Sequence, residues 1–399
     1  MRENLWEGAK KMREAVIIDA IRTPIGKKDG KLKDWHPVDL MAMVLKKIVE
    51  GKSFEDSLID DVILGCVSQV GEQSSNVARS ALLAAGFSET VPATTVTRQC
   101  GSSQQAIHFA AQGVMAGAYD VVIAGGIESM TRVPMHMSGL GVADPKGSMY
   151  KKRFEGITGF DHQGISAEKI AKKWNISRRD MEELCCESHK RAHNSTKKGY
   201  FQKEILPIPY TDEEGNRQIM DRDEGIRPTT NMEILGTLKP AFFEGGRITA
   251  ALASQISDAA SAILIMEKSV AIKMGLKPRA KFVAFDVVGS DPDLMLTGPI
   301  DATKRILKKS GMVLEQIDLI EINEAFASVV LAWQKEMNAD MSKVNINGGA
   351  MAIGHPLGAT GARMTTTLLH ELERSNKRFG LQTLCEGGGL SNAMIIERI

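Results

Sequence analysis

Thr94-Thr95-Val96-Thr97-Arg98-Gln99-Cys100-Gly101-Ser102-Ser103-Gln104 reads as a β-branched strand, a tight loop carrying one cysteine, and the entry to a helix over 103–117. Upstream lie an apolar strand over 15–20, a loop ending Thr23-Pro24-Ile25-Gly26, a helix over 37–49 with Leu40, Met41, Val44 and Ile48 on one face, a buried strand over 59–65 and a helix over 76–85. Downstream come a strand over 119–124 and Gly125-Gly126. The same order returns later: strand 281–288, a loop through Gly298-Pro299, helix 301–309, strand 316–323, helix 324–337, strand 344–347, a loop with His355, helix 358–373, strand 381–384 and Gly387-Gly388-Gly389. Alternating strands and helices of these lengths predict an α/β protein, duplicated, with a largely parallel sheet in each half and shared helices between the sheets. Residues 130–256 break the alternation and read as an insertion, with a long helix over 167–198. The expected units are 14–129 plus 257–276, the inserted 130–256, and 277–399.

Composition narrows the function classes. Fifty Lys and Arg against forty-nine Asp and Glu leave a formal charge of +1, with no broad footprint for nucleic acid or an anionic membrane. No apolar run reaches membrane-spanning length. Five cysteines in 399 residues, two of them adjacent at Cys185 and Cys186, make neither a disulfide framework nor a metal site. The expectation is a cytoplasmic protein with free thiols and no metal. Residues 1–13 lack the apolar stretch of a secretory signal and read as a short extension, with Met12 an alternative start.

The chemistry sits at strand ends. A helix beginning just after Cys100 would aim its amides and positive dipole end at the sulfur, which favours a thiolate. Gly354-His355-Pro356 presents an imidazole ahead of a helix, Cys385-Glu386-Gly387-Gly388 places a second thiol beside unshielded backbone amides, and Asn323-Glu324-Ala325-Phe326 follows another strand. Two thiols, an imidazole and an amide suit carbon–carbon chemistry on thioesters. One thiolate accepts an acyl group and needs a base, for which His355 is the candidate. The second thiol, at Cys385, can remove or return an α-proton, and the oxyanions need preorganised donors.

These four segments, in this order, resemble the thiolase family over nearly the whole chain, from about Glu14 to Ile399. The resemblance implies a five-layer αβαβα core built from two α/β halves with a loop domain inserted in the first. It further implies reversible acyl transfer between coenzyme A and acetyl-CoA by a ping-pong route, with acetyl-CoA and coenzyme A as substrates and no tightly bound cofactor. Cys100 then resembles the acylated nucleophile, His355 its base and Cys385 the acid/base at the α-carbon. Asn323 resembles the holder of a water that, with His355, faces the enolate oxygen, and the amides of Cys100 and Gly387 a second oxyanion hole. Ser254 resembles a pantetheine contact, Arg227 a neighbour of the adenine, and His162 a histidine lying along the pantetheine. Family resemblance also implies a homodimer or homotetramer.

Several positions depart from the family pattern. Gly101-Ser102-Ser103 follows the nucleophile where Ser or Ala and then Ser-Gly are usual, Leu252 replaces an asparagine, Asp258-Ala259 replaces Asp-Gly, and Glu386 replaces an apolar residue. The Glu386 side chain is expected to point away from the site; pointing inward, it would raise the Cys385 pKa. Ser254-Gln255-Ile256-Ser257-Asp258 resembles degradative 3-ketoacyl-CoA thiolases and His162 the acetoacetyl type, with Gln163 in place of a methionine. Gly71-Glu72-Gln73-Ser74-Ser75-Asn76 resembles thiolases acting on steroid side chains. Met135, Gln163, Phe242 and Met295 are candidate pocket residues. A ketoacyl-synthase-like condensing enzyme is disfavoured by a cysteine at 385, and a non-catalytic lipid-binding protein by retention of all four groups.

Overall fold

The structure, a computed structural model, describes residues 13–135, 137, 147–155 and 162–399; Met12 and its alternative start lie outside them. Nine strands form the spine: β1 (Ala15–Arg22), β2 (Asp61–Gly65), β3 (Ala93–Val96), β4 (Val121–Ser129), β5 (Ser257–Glu267), β6 (Ala280–Gly289), β7 (Leu319–Ile322), β8 (Phe379–Glu386) and β9 (Leu390–Arg398). In the first half they lie in the order β3-β2-β4-β5-β1, in the second β7-β8-β9-β6, and a short β1–β6 ladder joins the halves. An isolated bridge from Val344 to Ile320 stands where β3 stands in the first half. The two halves therefore share one topology.

Strand alternation fixes the layers, because side chains two apart share a face. Val16, Val62, Leu64, Leu264 and Met266 pack under helices α1 (Pro37–Val49) and α2 (Val77–Ala84). Their neighbours Ile17, Ile63, Ile263 and Ile265 face the other way, onto α3 (Ser102–Ala116). In the second half Leu319, Met394 and Ile396 meet the same middle layer, completed by Leu368, Leu369 and Leu372 of the helix Thr360–Arg374. Ile320, Ile322, Ala393 and Ile395 face outward onto Ile306 of helix Gly298–Ser310 and Trp333 of helix Ala327–Met337. Helix, sheet, helix, sheet, helix: strands such as β4, β5 and β8 are buried on both faces, which is why they read as continuous apolar runs, whereas edge strand β3 is only partly covered.

Four expectations change. Each sheet is mixed, because β5 runs antiparallel to both β4 and β1, and β9 folds back on β8 through Gly387–Gly389. The helix over 167–198 is two, α4 (Gln163–Lys173) and α5 (Arg178–Lys197). Asn175 takes a left-handed φ of 47° and ends the first, and a reciprocal Ser177–Asp180 capping box opens the second. The strand over 344–347 shrinks to one bridge. There Asn345 accepts from the Ile322 amide at 2.9 Å and donates to its carbonyl at 2.8 Å, so a side chain takes the place of a ladder. The helix over 324–337 starts only at Ala327, since Ala325 bends to accept from the Ser254 amide and Phe326 stays extended to bridge Ala253.

Candidate active site

Cys100 closes a loop whose shape is set by Gln99, a non-glycine residue at φ 48°. Residues held there are generally over-determined by their surroundings. Here the Ser102 hydroxyl donates to the Gln99 carbonyl at 2.6 Å and accepts from the Arg98 amide at 2.9 Å. α3 begins at Ser102, so its amino end lies beside the sulfur. The Cys100 sulfur is also within reach of its own amide and that of Gly387.

The His355 loop meets the Cys100 loop at their helix entries. Ala362 donates its amide to Ser103 Oγ at 2.9 Å. A methyl group at Gly361 would lie 2.4 Å from the Gln104 nitrogen, so glycine allows this approach. Behind both, buried Glu128 accepts the amides of Val67 (2.9 Å), Ser68 (3.0 Å) and Gly358 (2.8 Å), stapling the His355 loop to the first half.

His355 is oriented by both ring nitrogens. The Thr360 hydroxyl donates to the Pro356 carbonyl at 2.8 Å and so accepts from His355 Nδ1 at 2.7 Å. That assigns the proton to Nδ1 and leaves Nε2 with a lone pair, 3.3 Å from Asn323 Nδ2. Asn323 is carried by the end of β7, where its amide donates to Thr383 of β8 at 3.1 Å. Its Oδ1 has no hydrogen-bond partner among the described residues.

Cys385, fully buried, shares an apolar cluster with Met295, Ala325, Phe326 and Met351, and the two sulfurs lie close enough that charge on Cys100 raises the Cys385 pKa. Both reacting groups are shielded from bulk solvent: Cys100 is 4% exposed and His355 3%. Burial, helped by the Glu386 charge, pushes the Cys100 thiol up to about 12, against the pull of two amides. Burial and then the Arg363 charge drive His355 down to about 3. The resting pair is therefore neutral thiol and neutral imidazole.

Glu386 corrects an expectation. Its side chain points inward: it is fully buried, and a methyl group at Gly101 would lie 1.9 Å from its Oε1. Strand period turns Glu386 away from Cys385, but a strand covered on both faces has no solvent side. Its charge raises the pKa of both thiols, Cys385 as expected of an inward carboxylate and Cys100 as well.

The inserted region contributes a rim. His162 is exposed and stacks edge-on with Phe242 at 5.2 Å; Phe242 meets Phe326 at 5.8 Å. Gln163 Nε2 comes within 3.1 Å of where a Gly387 side chain would start, so it stands over that backbone. Ser254 is half-buried and its amide donates to Ala325 at 2.9 Å. Arg227 is exposed, anchored by its amide on His189 Nδ1 at 3.1 Å. Met295 is buried beside Cys385, whereas Met135 is exposed. Sequence reasoning missed Thr360 and Glu128. The threonine five residues past His355 was a readable signal; Glu128 had none, since its partners come from three segments.

The chain resembles known proteins along almost its whole length. The family described as thiolase, N-terminal domain, matches residues 15–269, and thiolase, C-terminal domain, matches 276–398. A steroid 3-ketoacyl-CoA thiolase of Mycobacterium tuberculosis is 47% identical over 97% of this chain and 95% of its own. A 3-ketoacyl-CoA thiolase of Bacillus subtilis is 42% identical over 97% and 100%. Among solved structures, an acetyl-CoA acetyltransferase of Bacillus anthracis superposes with a TM-score of 0.88 at 38% identity, covering 97% of this chain and 99% of its own. The fold and these relatives define an acyltransferase. The chain belongs to the thiolase family.

Proposed function

We propose that this thiolase cleaves 3-ketoacyl-CoA thioesters, and reversibly condenses acetyl-CoA, through an acyl group carried on Cys100. The observation that carries the reading is that the Cys100 loop and the Cys385-Glu386-Gly387 strand end meet, Glu386 against Gly101 and Gln99 beside Gly387, with both thiols buried. In thiolysis His355 Nε2 takes the Cys100 proton as the sulfur adds to the 3-keto carbon. The amides of Cys100 and Gly387 face the resulting oxyanion. Collapse breaks the C2–C3 bond and its electron pair becomes the acetyl-CoA enolate, whose oxygen faces Asn323 and protonated His355. The Cys385 thiol then protonates the α-carbon. Coenzyme A gives its proton to the Cys385 thiolate and attacks the Cys100 thioester; the expelled Cys100 sulfur recovers its proton from His355, and every group returns to its starting state.

The insertion 130–256, with Ser254, Arg227 and His162 on its rim and border, is the proposed coenzyme A-binding domain. The halves are 14–129 plus 257–276 and 277–399. The enzyme is proposed to work in the cytoplasm as a homodimer or homotetramer; the outer edge of β3, unpaired among the described residues, supports self-association. A second reading, bulky ring-bearing acyl groups, is favoured by the name of the 47% identical relative.

Incubation with acetyl-CoA should add one acetyl mass to the Cys100 peptide, and Cys100→Ala should abolish the adduct. Cys385→Ala should still acylate yet fail to exchange α-protons. Label on Cys385 instead would reverse the roles, and a thiolysis series from short linear to ring-bearing substrates decides the acyl class.

A further inference from the structure

Gly101 and Glu386 meet at one point. The carboxylate of Glu386 fills the space that a side chain at residue 101 would need. It is wholly buried, and neither oxygen has a hydrogen-bond partner among the described residues. Burying a carboxylate without partners is costly unless it takes up a proton or has a use. The charged and titratable groups around it come from every element packed there. Arg98 and Cys100 lie on the nucleophile loop, Cys385 on its own strand, and buried Glu128 of β4 acts more weakly than Glu386 on the same Cys100 sulfur. His108, on α3, faces Arg98. From β9 the backbone amide of Asn392 favours the ionised carboxylate from outside hydrogen-bond geometry. Arg98 favours it more strongly, and its Nε is itself buried without a partner among the described residues.

We infer that Glu386 is a positioning residue that sets the readiness of Cys100 to ionise: protonated, it leaves the thiol free to react, and ionised, it holds the thiol protonated by like-charge repulsion. The inference rests on Cys100 being the nucleophile only for its consequence in catalysis. Burial, against the opposing charge of Arg98, lifts the Glu386 pKa to about 8, so the change of state falls within the working range of pH.

The rate of Cys100 alkylation by iodoacetamide, followed on its peptide from pH 6 to 10, reads this directly. A lone thiol gains reactivity about tenfold per pH unit below its pKa. In the wild type that rise should flatten where Glu386 ionises and then resume. Glu386→Gln and the apolar Glu386→Leu should remove the flat region. Both should react about tenfold faster than wild type on its alkaline side and match it within about twofold at pH 6. Arg98→Gln should move the flat region to higher pH. A wild-type rise without a break overturns the inference, as does a break that survives either Glu386 substitution or stays in place in Arg98→Gln. Alkylation does not require acyl transfer, so failure here is distinguishable from failure of acetyl labelling at Cys100.

Discussion

At the scale of single residues, this protein keeps polar groups where water does not reach. His108 lies wholly buried on α3, its ring edge-on to Phe285 at 4.9 Å, with neither nitrogen paired among the described residues. Burial, then the charges of Arg98 and Lys309, hold its pKa down at about 3. Because the folded value lies below the unfolded one, near 6.5, the unfolded chain binds the extra proton as pH falls between them. His108 therefore costs stability progressively below about pH 6.5 and nothing electrostatic above it. His108→Phe should be more stable than wild type at pH 7 by about 1–2 kcal/mol from the relieved polar atoms. The gap should widen by about 1.4 kcal/mol per unit as the pH drops from 6.5 toward 4.5. Urea melts at both pH values check it, and a gap that narrows in acid refutes the assignment. Glu386 runs opposite in sign, since its raised pKa costs stability as pH climbs toward 8.

At the scale of elements, the site depends on two helices crossing where neither has a side chain in the way. Gly361, at the start of the helix Thr360–Arg374, meets the backbone nitrogen of Gln104 on α3, a neighbour that cannot swing aside. Gly361→Ala should cost about 1–3 kcal/mol by urea denaturation. Gly236→Ala, at the end of helix Met232–Gly236 with open space around it, should be neutral or slightly stabilising. Equal effects would mean that the crossing is not tight. Most elements were legible in the sequence, because their alternation and caps are local: Asn76 caps α2 as its position suggests, and Gly117 closes α3 in a left-handed turn. Three of the four misread pieces share a cause. The 344–347 strand, the helix start at Ala327 and the strand directions are decided by partners outside each segment, 23 residues off for Asn345 and Ile322 and 71 for Ala325 and Ser254, and period alone carries no record of them.

At the scale of the whole molecule, the insertion is tied to the core by charge as well as by apolar packing. Arg22 of β1, fully buried, bonds Asp223 at 2.7 Å and Glu204 at 2.7 Å, both from the inserted region. Glu204 in turn accepts from Thr367 of the second half at 2.9 Å, so one network touches all three parts. Removing the cation strands two buried carboxylates. Arg22→Met should therefore cost about 3–5 kcal/mol, read as a lowered melting temperature and earlier proteolysis in the inserted region. A loss under about 1 kcal/mol would show that the region holds through apolar contacts alone.

The sequence by itself determined the duplicated order of elements, the four chemical segments and hence the kind of reaction, because patterns of two and 3.6 residues and the reactivity of thiol and imidazole are local properties. Only the tertiary structure decided what surrounds them: that Thr360 fixes the tautomer of His355, that Glu128 staples its loop, and that Glu386 faces inward. A strand announces which residues share a face, but what covers that face comes from distant chain, and here both faces are covered.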